Sequence, residues 1–447
     1  MSKYRYPQFT HDADVPINRV RCPVHGFIHY SENERQVIDH PLFRRLRYIR
    51  QLALTEFLYP GATHSRFEHA LGVMEVATRA FDAVAIKQGD LMEETFSRVE
   101  GFADAPMEKA RQVLRLAALL HDVGHGSFSH AAEPAMFPDS GHEALSVKIV
   151  SDRNLLGNVI DQLFWEGCAK RVAQVINGSP ELPRDLILLR NLVSGEMDAD
   201  RTDYLLRDSL HCGVDYGRFD HRRMIESLEV QETDLGLEIA LNRDGIHTFE
   251  ALILARYQMN TQVYYHRLRR IYDHYLIKYF NELKEDVALT PEYVIDNNDI
   301  TMMVMIMEDA ERGPEKRKKW AERIVRRNHH RMVYETGENL NAISSKKFKQ
   351  LYSKIQEQFP DIEFIRDISQ AGIHKILTPK DDSDEGRATI TLIGPGKSRR
   401  GIGEESQIFQ SIPRNFQCGR IFADLTHEQT ERRKEVVEFA GRMWKQL

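Results

Sequence analysis

Along most of the first three quarters of the chain, apolar residues recur at the three- and four-residue spacing of helices that bury one face, and alternating, strand-like stretches are few. Between Val113 and Leu120 (VLRLAALL) the apolar content is nearly unbroken, which predicts a helix covered on most sides. Pro60-Gly61 interrupts the chain ahead of SRFEHALGVMEVATRAF, whose Phe67, Leu71, Val73, Met74 and Val76 suit a helix docked on a core. From Thr301, TMMVMIMEDAERGPEKRKKWAERIVRRNHHRMVYE reads as an apolar helix, a breaker and a strongly basic helical run. That run is either a solvated face or a surface for a nucleotide effector or another polyanion.

After about residue 331 the texture changes. RATITLIGPG and GRIFADL read as short strands, DDSDEGRA and GPGKSRRGIGEES as mobile loops. The predicted fold class is therefore mainly α, with a helical core over 1–330 and a smaller α+β C-terminal region over 331–447.

The chain has 447 residues, 42% hydrophobic and 29% charged, the balance of a soluble globular protein with enough interior for a deep cleft. Its opening, MSKYRYPQFTHDADV, lacks the apolar stretch of a signal peptide, and no run approaches the ~20 apolar residues that span a bilayer. The expectation is a cytoplasmic protein with no membrane partner. Four scattered cysteines make no metal knuckle and read as reduced and structural. With 61 Lys and Arg against 67 Asp and Glu, the net charge of -6 disfavours nucleic acid as the partner while allowing a local basic pocket.

The strongest local signal is LLHDVGHGSFSHAAE, where a buried helix ends in His121-Asp122 and breaks at Gly124 into a loop carrying His125 and His130. An adjacent imidazole and carboxylate at a helix end can turn into one cavity, with the glycines letting the backbone approach a ligand. A lone His-Asp pair is more often a capping pair, so the pattern needs partners. Upstream, HSRFEHALG places His69 on a helix with Arg66 about one turn earlier. Downstream, GEMDADRTDYLLRDSLHCG sets Asp200, Tyr204 and Asp208 four residues apart on one stripe, with Met197, Leu205 and Leu206 turned inward.

His69, His121-Asp122 and Asp200 together resemble the H…HD…D signature of the HD phosphohydrolase superfamily. The runs FRRLRYIRQLALTEFLYPGATHSRFEHALGV, HDVGHGSFSH, GHEALSV, DADRTDYLLRD and YHRLRRIYDH are similar to its dNTP triphosphohydrolase branch, which includes sterile-alpha-motif HD-domain and dGTPase-like enzymes. The resemblance covers residues 16 to 280, and with only about fifteen residues ahead of it here the expectation is a core without a preceding sterile-alpha-motif domain.

The resemblance implies an HD-domain helical catalytic core in which His69, His121, Asp122 and Asp200 hold a divalent metal ion. Two imidazoles and two carboxylates suit Mg, Mn, Fe, Co, Ni or Zn alike. It implies that His130, with Glu133 where relatives carry aspartate, protonates the leaving oxygen, and that His125 and His142 face the phosphates. A carboxylate beside an imidazole raises its pKa toward that of a general acid at neutral pH. Arg66 and Arg201 match phosphate-contacting positions. Gln51 and Leu52 match positions against the sugar and its 3′-hydroxyl, Tyr204 and Asp208 others along the sugar, and Tyr272 a further pocket aromatic. The reaction so implied is dNTP plus water to deoxynucleoside plus triphosphate, in a homo-oligomer (dimer or tetramer) with a nucleotide effector as an open hypothesis. The rival readings are an HD phosphodiesterase or nucleotidase on another phosphate ester, and a nucleotide-sensing or nucleic-acid-binding HD module.

Overall fold

The computed structural model describes residues 18–137, 141–178, 182–338, 340–376, 390–425 and 429–447. Two helices organise it: α1 (Arg66–Ser97) and α2 (Pro106–Leu120). Pro106 opens α2, where its missing N–H costs nothing, and from Val113 to Leu120 every side chain of α2 is buried. That stretch lies against α1 and the later helices α5 (Cys168–Asn177) and α6 (Ile187–Val193).

Between α2 and α5 come α3 (Ser129–Met136) and α4 (Gly141–Ser151). Helix α7 (Ala199–Cys212) follows α6 and packs across α1. Asp198 caps it, its carboxylate accepting the N–H of Arg201 at 2.7 Å. Then come α8 (Ile246–Met259), α9 (Arg267–Leu283), α10 (Asp299–Arg312) and α11 (Glu315–Val325), with the predicted break at Gly313-Pro314. In α11, Trp320, Ala321 and Ile324 turn inward, and Lys316 and Lys318 are more exposed.

Strands are more frequent in the first three quarters than expected. β1 (Asn18–Cys22) and β2 (Gly26–Tyr30) form an antiparallel hairpin, as do β3 (Leu228–Thr233) and β4 (Gly236–Asn242). At five to seven residues each, these strands give too few alternations to stand out from helical neighbours.

Toward the C-terminus, β5 (Arg331–Glu335), β9 (Asn415–Ala423) and β6 (Phe364–Gly372) form a sheet in that order. Helices α12 (Ala342–Gln358) and α13 (Thr430–Gln446) accompany it. A separate apolar cluster that includes Phe348, Leu351, Ile355, Ile421 and Val436 holds this unit. From the same stretch, Ile373, Leu392, Ile402 and Phe409 join the main core. β7 (Thr391–Ile393) runs parallel to β4, so a C-terminal strand completes a sheet begun near residue 228. The GPGKSRR segment, expected as a loop, contributes β8 (Arg399–Gly401) paired with β7, because its backbone finds a ladder partner. DDSDEGRA and residues 1–17 lie outside the described residues. No helix among those described is long and apolar enough to cross a membrane.

Candidate active site

The two histidines and two aspartates of the signature meet where helix ends converge. His69 lies in the first turn of α1, Asp200 in the first turn of α7, and His121-Asp122 directly after α2. His69 Nε2 stands 3.0 Å from Asp200 Oδ1 and 3.7 Å from Asp122 Oδ2. His121 Nε2 stands 3.3 Å from Asp122 Oδ1 and 3.6 Å from Asp200 Oδ1.

The opposite ring nitrogens are engaged. His69 Nδ1 donates to Asp203 Oδ2 and His121 Nδ1 to the carbonyl of Ala118, each at 2.8 Å. That fixes both tautomers with the Nε2 lone pairs turned toward the carboxylates. Both Nε2 atoms are buried and make no hydrogen bond. Two orphaned imidazole nitrogens facing the carboxylates of Asp122 and Asp200 are what a divalent cation satisfies, so the residues fit the metal the signature implies.

Asp203 belongs to this centre and was not singled out in the sequence. Its Oδ2 takes His69 and its Oδ1 takes His25 Nε2 at 2.6 Å, while Arg207 donates to both oxygens at 2.9 and 2.8 Å. Burial works against its charge, yet Arg207 and the two imidazoles hold the carboxyl well below its usual range.

A second cluster adjoins the first. The rings of His125 and His142 stack at 3.6 Å and 16°, and His130 stands nearly perpendicular to His125 at 4.7 Å. Glu133 bridges two of them, accepting from His130 Nδ1 at 2.6 Å and from His142 Nδ1 at 2.7 Å, with the His142 N–H at 3.0 Å. Burial tends to raise the Glu133 pKa, but these donors hold it far down and the group is ionised. For His130 the rise expected of a histidine paired with a carboxylate is not what the site gives. Its side chain is 60% exposed, yet desolvation at the site mouth, then Arg66 and His142, outweigh Glu133 and lower its pKa. His125 is fully buried, and desolvation, with the Arg66 guanidinium next, holds its pKa well below the usual imidazole range.

The loop joining the clusters is built with strain. Phe128 and Ser129 both take positive φ, +59° and +51°, a conformation disfavoured for side-chain-bearing residues. Asp299 Oδ1 holds the Phe128 N–H at 2.7 Å, and Ser129 Oγ accepts from Arg66 Nε at 2.7 Å and donates to the Arg50 carbonyl at 2.6 Å. Arg45, also missed, is buried and reaches across to the carbonyls of Val123 (2.8 Å) and His125 (2.7 Å). Of the glycines of HDVGHG, Gly124 makes its close approach within the protein. A β-carbon on Gly124 would collide with the His142 carbonyl and the Ser146 amide, so the close approach is to α4 rather than to a ligand. It is this approach that sets His142 beside His125.

A cavity of about 170 Å³ opens on these groups. Of the predicted residues, Gln51, Arg66, His121, Asp122, His130, His142, Asp200 and Tyr204 line it, joined by Glu143 and Arg190, which were not predicted. Arg66 is tied to Asp122 by an ion pair. His69, His125 and Glu133 stand behind the lining, and four of the predicted substrate-binding residues also lie outside it. Arg201 turns to Glu196 and Asp198 (3.5 and 3.6 Å), drawn back by the cap of its own helix. Asp208 is buried and spends one oxygen on His64 Nε2 (2.7 Å) and the other on the Tyr264 hydroxyl (2.8 Å). Tyr272 packs in the core, edge-on to Phe57 at 5.1 Å, and Leu52 is buried in the neighbouring turn. The polar stripe of α7 therefore reaches the cavity only through Asp200 and Tyr204, and Leu206, expected inward, is half-buried.

Comparison with known proteins agrees with this geometry. The HD domain matches residues 66–207 and the HD associated region residues 219–363. The chain therefore belongs to the HD-domain phosphohydrolase family. An uncharacterized protein from Methanocaldococcus jannaschii is 33% identical over 255 residues, 57% of this chain and 47% of that one. The uncharacterized protein YwfO of Bacillus subtilis is 34% identical over 266 residues, 59% and 55% of the two chains. The chain thus spans about half the length of each. The deoxynucleoside triphosphate triphosphohydrolase SAMHD1 of Bos taurus is 23% identical over 459 residues, covering 92% of this chain and 76% of that one. Among solved structures, a hypothetical protein from Aquifex aeolicus superposes with a TM-score of 0.74 at 25% identity, over 94% of this chain and all of that one.

Proposed function

We propose that this protein hydrolyses deoxynucleoside triphosphates to deoxynucleoside and triphosphate, using a divalent metal ion held by His69, His121, Asp122 and Asp200. The observation that carries the reading is the adjacency of two clusters in one cavity. One is the convergent set His69, His121 and Asp200, with unpartnered imidazole nitrogens and the Asp122 carboxylate 3.3 Å from His121; the other is a Glu133-bridged histidine pair able to carry a proton. The likeness to a deoxynucleoside triphosphate triphosphohydrolase across 92% of the chain supports the choice of substrate.

A bound divalent ion supplies Lewis acidity toward a phosphate oxygen and a water made nucleophilic near neutral pH. The chain's own residues do the rest. Asp203 and Ala118 keep both imidazoles in the ligating tautomer. Arg66, fixed by Asp122 and Ser129, presents its remaining Nη2, buried and unpartnered, to a phosphate oxygen. An incoming triphosphate brings negative charge that raises the His130 pKa, so the ring gains a proton as substrate binds and delivers it to the departing 5′ oxygen. Glu133 orients the ring through Nδ1, leaving Nε2 to meet that oxygen. The Oε1 of Gln51, buried without a partner, accepts the sugar 3′-hydroxyl, and Tyr204 closes the space a ribose 2′-hydroxyl would need.

Product analysis tests the proposal. Purified protein with Mn²⁺ should release inorganic triphosphate from a dNTP panel. Release of phosphate or pyrophosphate alone would move the protein to the phosphodiesterase or nucleotidase class of the same family. Metal-free protein that binds RNA tightly would make it a binding module.

A further inference from the structure

Two arginines line the cavity, and they differ in how their charge is spent. Arg66 is fully buried and paired with Asp122. Arg190, on α6, is half-buried, and its guanidinium has neither a hydrogen bond nor an ion-pair partner among the described residues. Glu143, Asp198 and Asp200 are close enough to favour its charge, but none contacts it.

The guanidinium is held by packing instead. It lies across Gly178, the left-handed residue (φ +55°) that ends α5, and a β-carbon there would overlap Arg190 Nε. Below it the same helix seats Leu189, Leu192 and Val193 in the core, so the backbone carrying Arg190 is anchored. Desolvation of the group is the main influence lowering its pKa, and nothing in the protein compensates it by contact. A partly desolvated, immobilised and unpaired cation facing a cavity is stabilised by an anion that enters that cavity.

We infer that Arg190 is a phosphate-binding residue of this site, taking oxygens of the polyphosphate beyond those held at the metal centre and by Arg66. The inference rests on the reading of the cavity as a phosphate site. It holds whether or not the phosphate belongs to a dNTP. A planar guanidinium gives two parallel N–H donors, so the contact should prefer the two oxygens of a terminal phosphoryl group, and an ammonium would replace it only in part.

The test is calorimetric titration of the Mn²⁺-loaded protein with inorganic tripolyphosphate, for wild type, Arg190→Gln and Arg190→Lys, with bound Mn²⁺ measured in each. The expected result is unchanged metal content, affinity lower by about ten- to a hundred-fold in Arg190→Gln, and a smaller loss in Arg190→Lys. Wild-type affinity in Arg190→Gln overturns the inference. Should that variant fail to fold, Arg190→Lys decides: affinity equal to wild type overturns the inference, and a several-fold loss with full metal content sustains it. Failure of the dNTP reaction would be seen separately, as no triphosphate released from dNTPs by wild-type protein that still binds tripolyphosphate through Arg190.

Discussion

Gly72, one turn beyond His69 on α1, faces Asp203 on α7 so closely that a β-carbon would overlap both Asp203 Oδ1 and Arg207 Nη2. The absent side chain is what lets the buried Asp203–Arg207 pair lie against α1, and through it His69 is oriented. Gly72→Ala should force the pair away at a cost of about 1–3 kcal/mol, the range of an overpacked core. Urea denaturation would read the loss in stability. Metal content should fall as well, and a variant with wild-type stability and a full complement of metal would contradict this account.

Asp203 is not itself one of the predicted ligands, but it holds one of them, His69, through Nδ1. Its effect should appear in affinity for the metal. Asp203→Asn keeps the shape but gives up one acceptor, leaving either His69 or His25 without its carboxylate oxygen. Partners of this kind alter metal affinity by about 10–100-fold. Competition against a fluorescent chelator should show a Mn²⁺ dissociation constant raised by that factor. An unchanged constant would mean that the tautomer of His69 is set by something other than Asp203.

Why Asp203 escaped the sequence reading is plain from its contacts. It sits inside the quoted DADRTD run, but the side chains that give it meaning, His69 and His25, lie 134 and 178 residues away. Arg45 is the same case, sitting in the quoted FRRLRY run with its role defined by two carbonyls about 80 residues on. The four candidate ligands were legible through the resemblance of the spaced H…HD…D pattern to a known family, since imidazole and carboxylate at helix ends narrow the chemistry but do not by themselves choose the set. The α7 stripe was legible as a direction only. Helical spacing aligns Asp200, Tyr204 and Asp208, but it does not report that His64 and Tyr264 have already claimed the last of them.

The length of Glu133, read from the sequence as a departure from aspartate, acquires a use in the structure. Its two oxygens span His130 Nδ1 and His142 Nδ1. Glu133→Gln can accept from only one imidazole, and should lower kcat by about 10²–10⁴, the range of a lost general acid, at unchanged metal content. Glu133→Asp keeps the charge but is one methylene shorter, so it should serve one histidine and give an intermediate rate. Equal rates for Glu133→Asp and wild type would show that bridging is dispensable.

Asp299 opens α10 and spends both oxygens on the loops of the site, Oδ2 on the Arg50 N–H at 2.8 Å and Oδ1 on the Phe128 N–H at 2.7 Å. Burial nonetheless dominates those donors and the nearby charges of Arg50 and Arg66, and lifts its pKa to about 7. In the unfolded chain the same group titrates near its ordinary value of about 3.9. Between these values the folded protein keeps a proton that the unfolded chain has released. Its contribution is therefore fully present at low pH, declines as pH rises through the window, and is lost above about 7. The slope is about 1.4 kcal/mol per pH unit for one group. Asp299→Asn does not titrate, so the stability of wild type minus that of the variant isolates the effect. Urea melts at several pH values between 5 and 8 should show this difference falling up to pH 7 and levelling beyond it. A difference that rises with pH would mean that the two backbone donors outweigh burial and that Asp299 is ionised throughout.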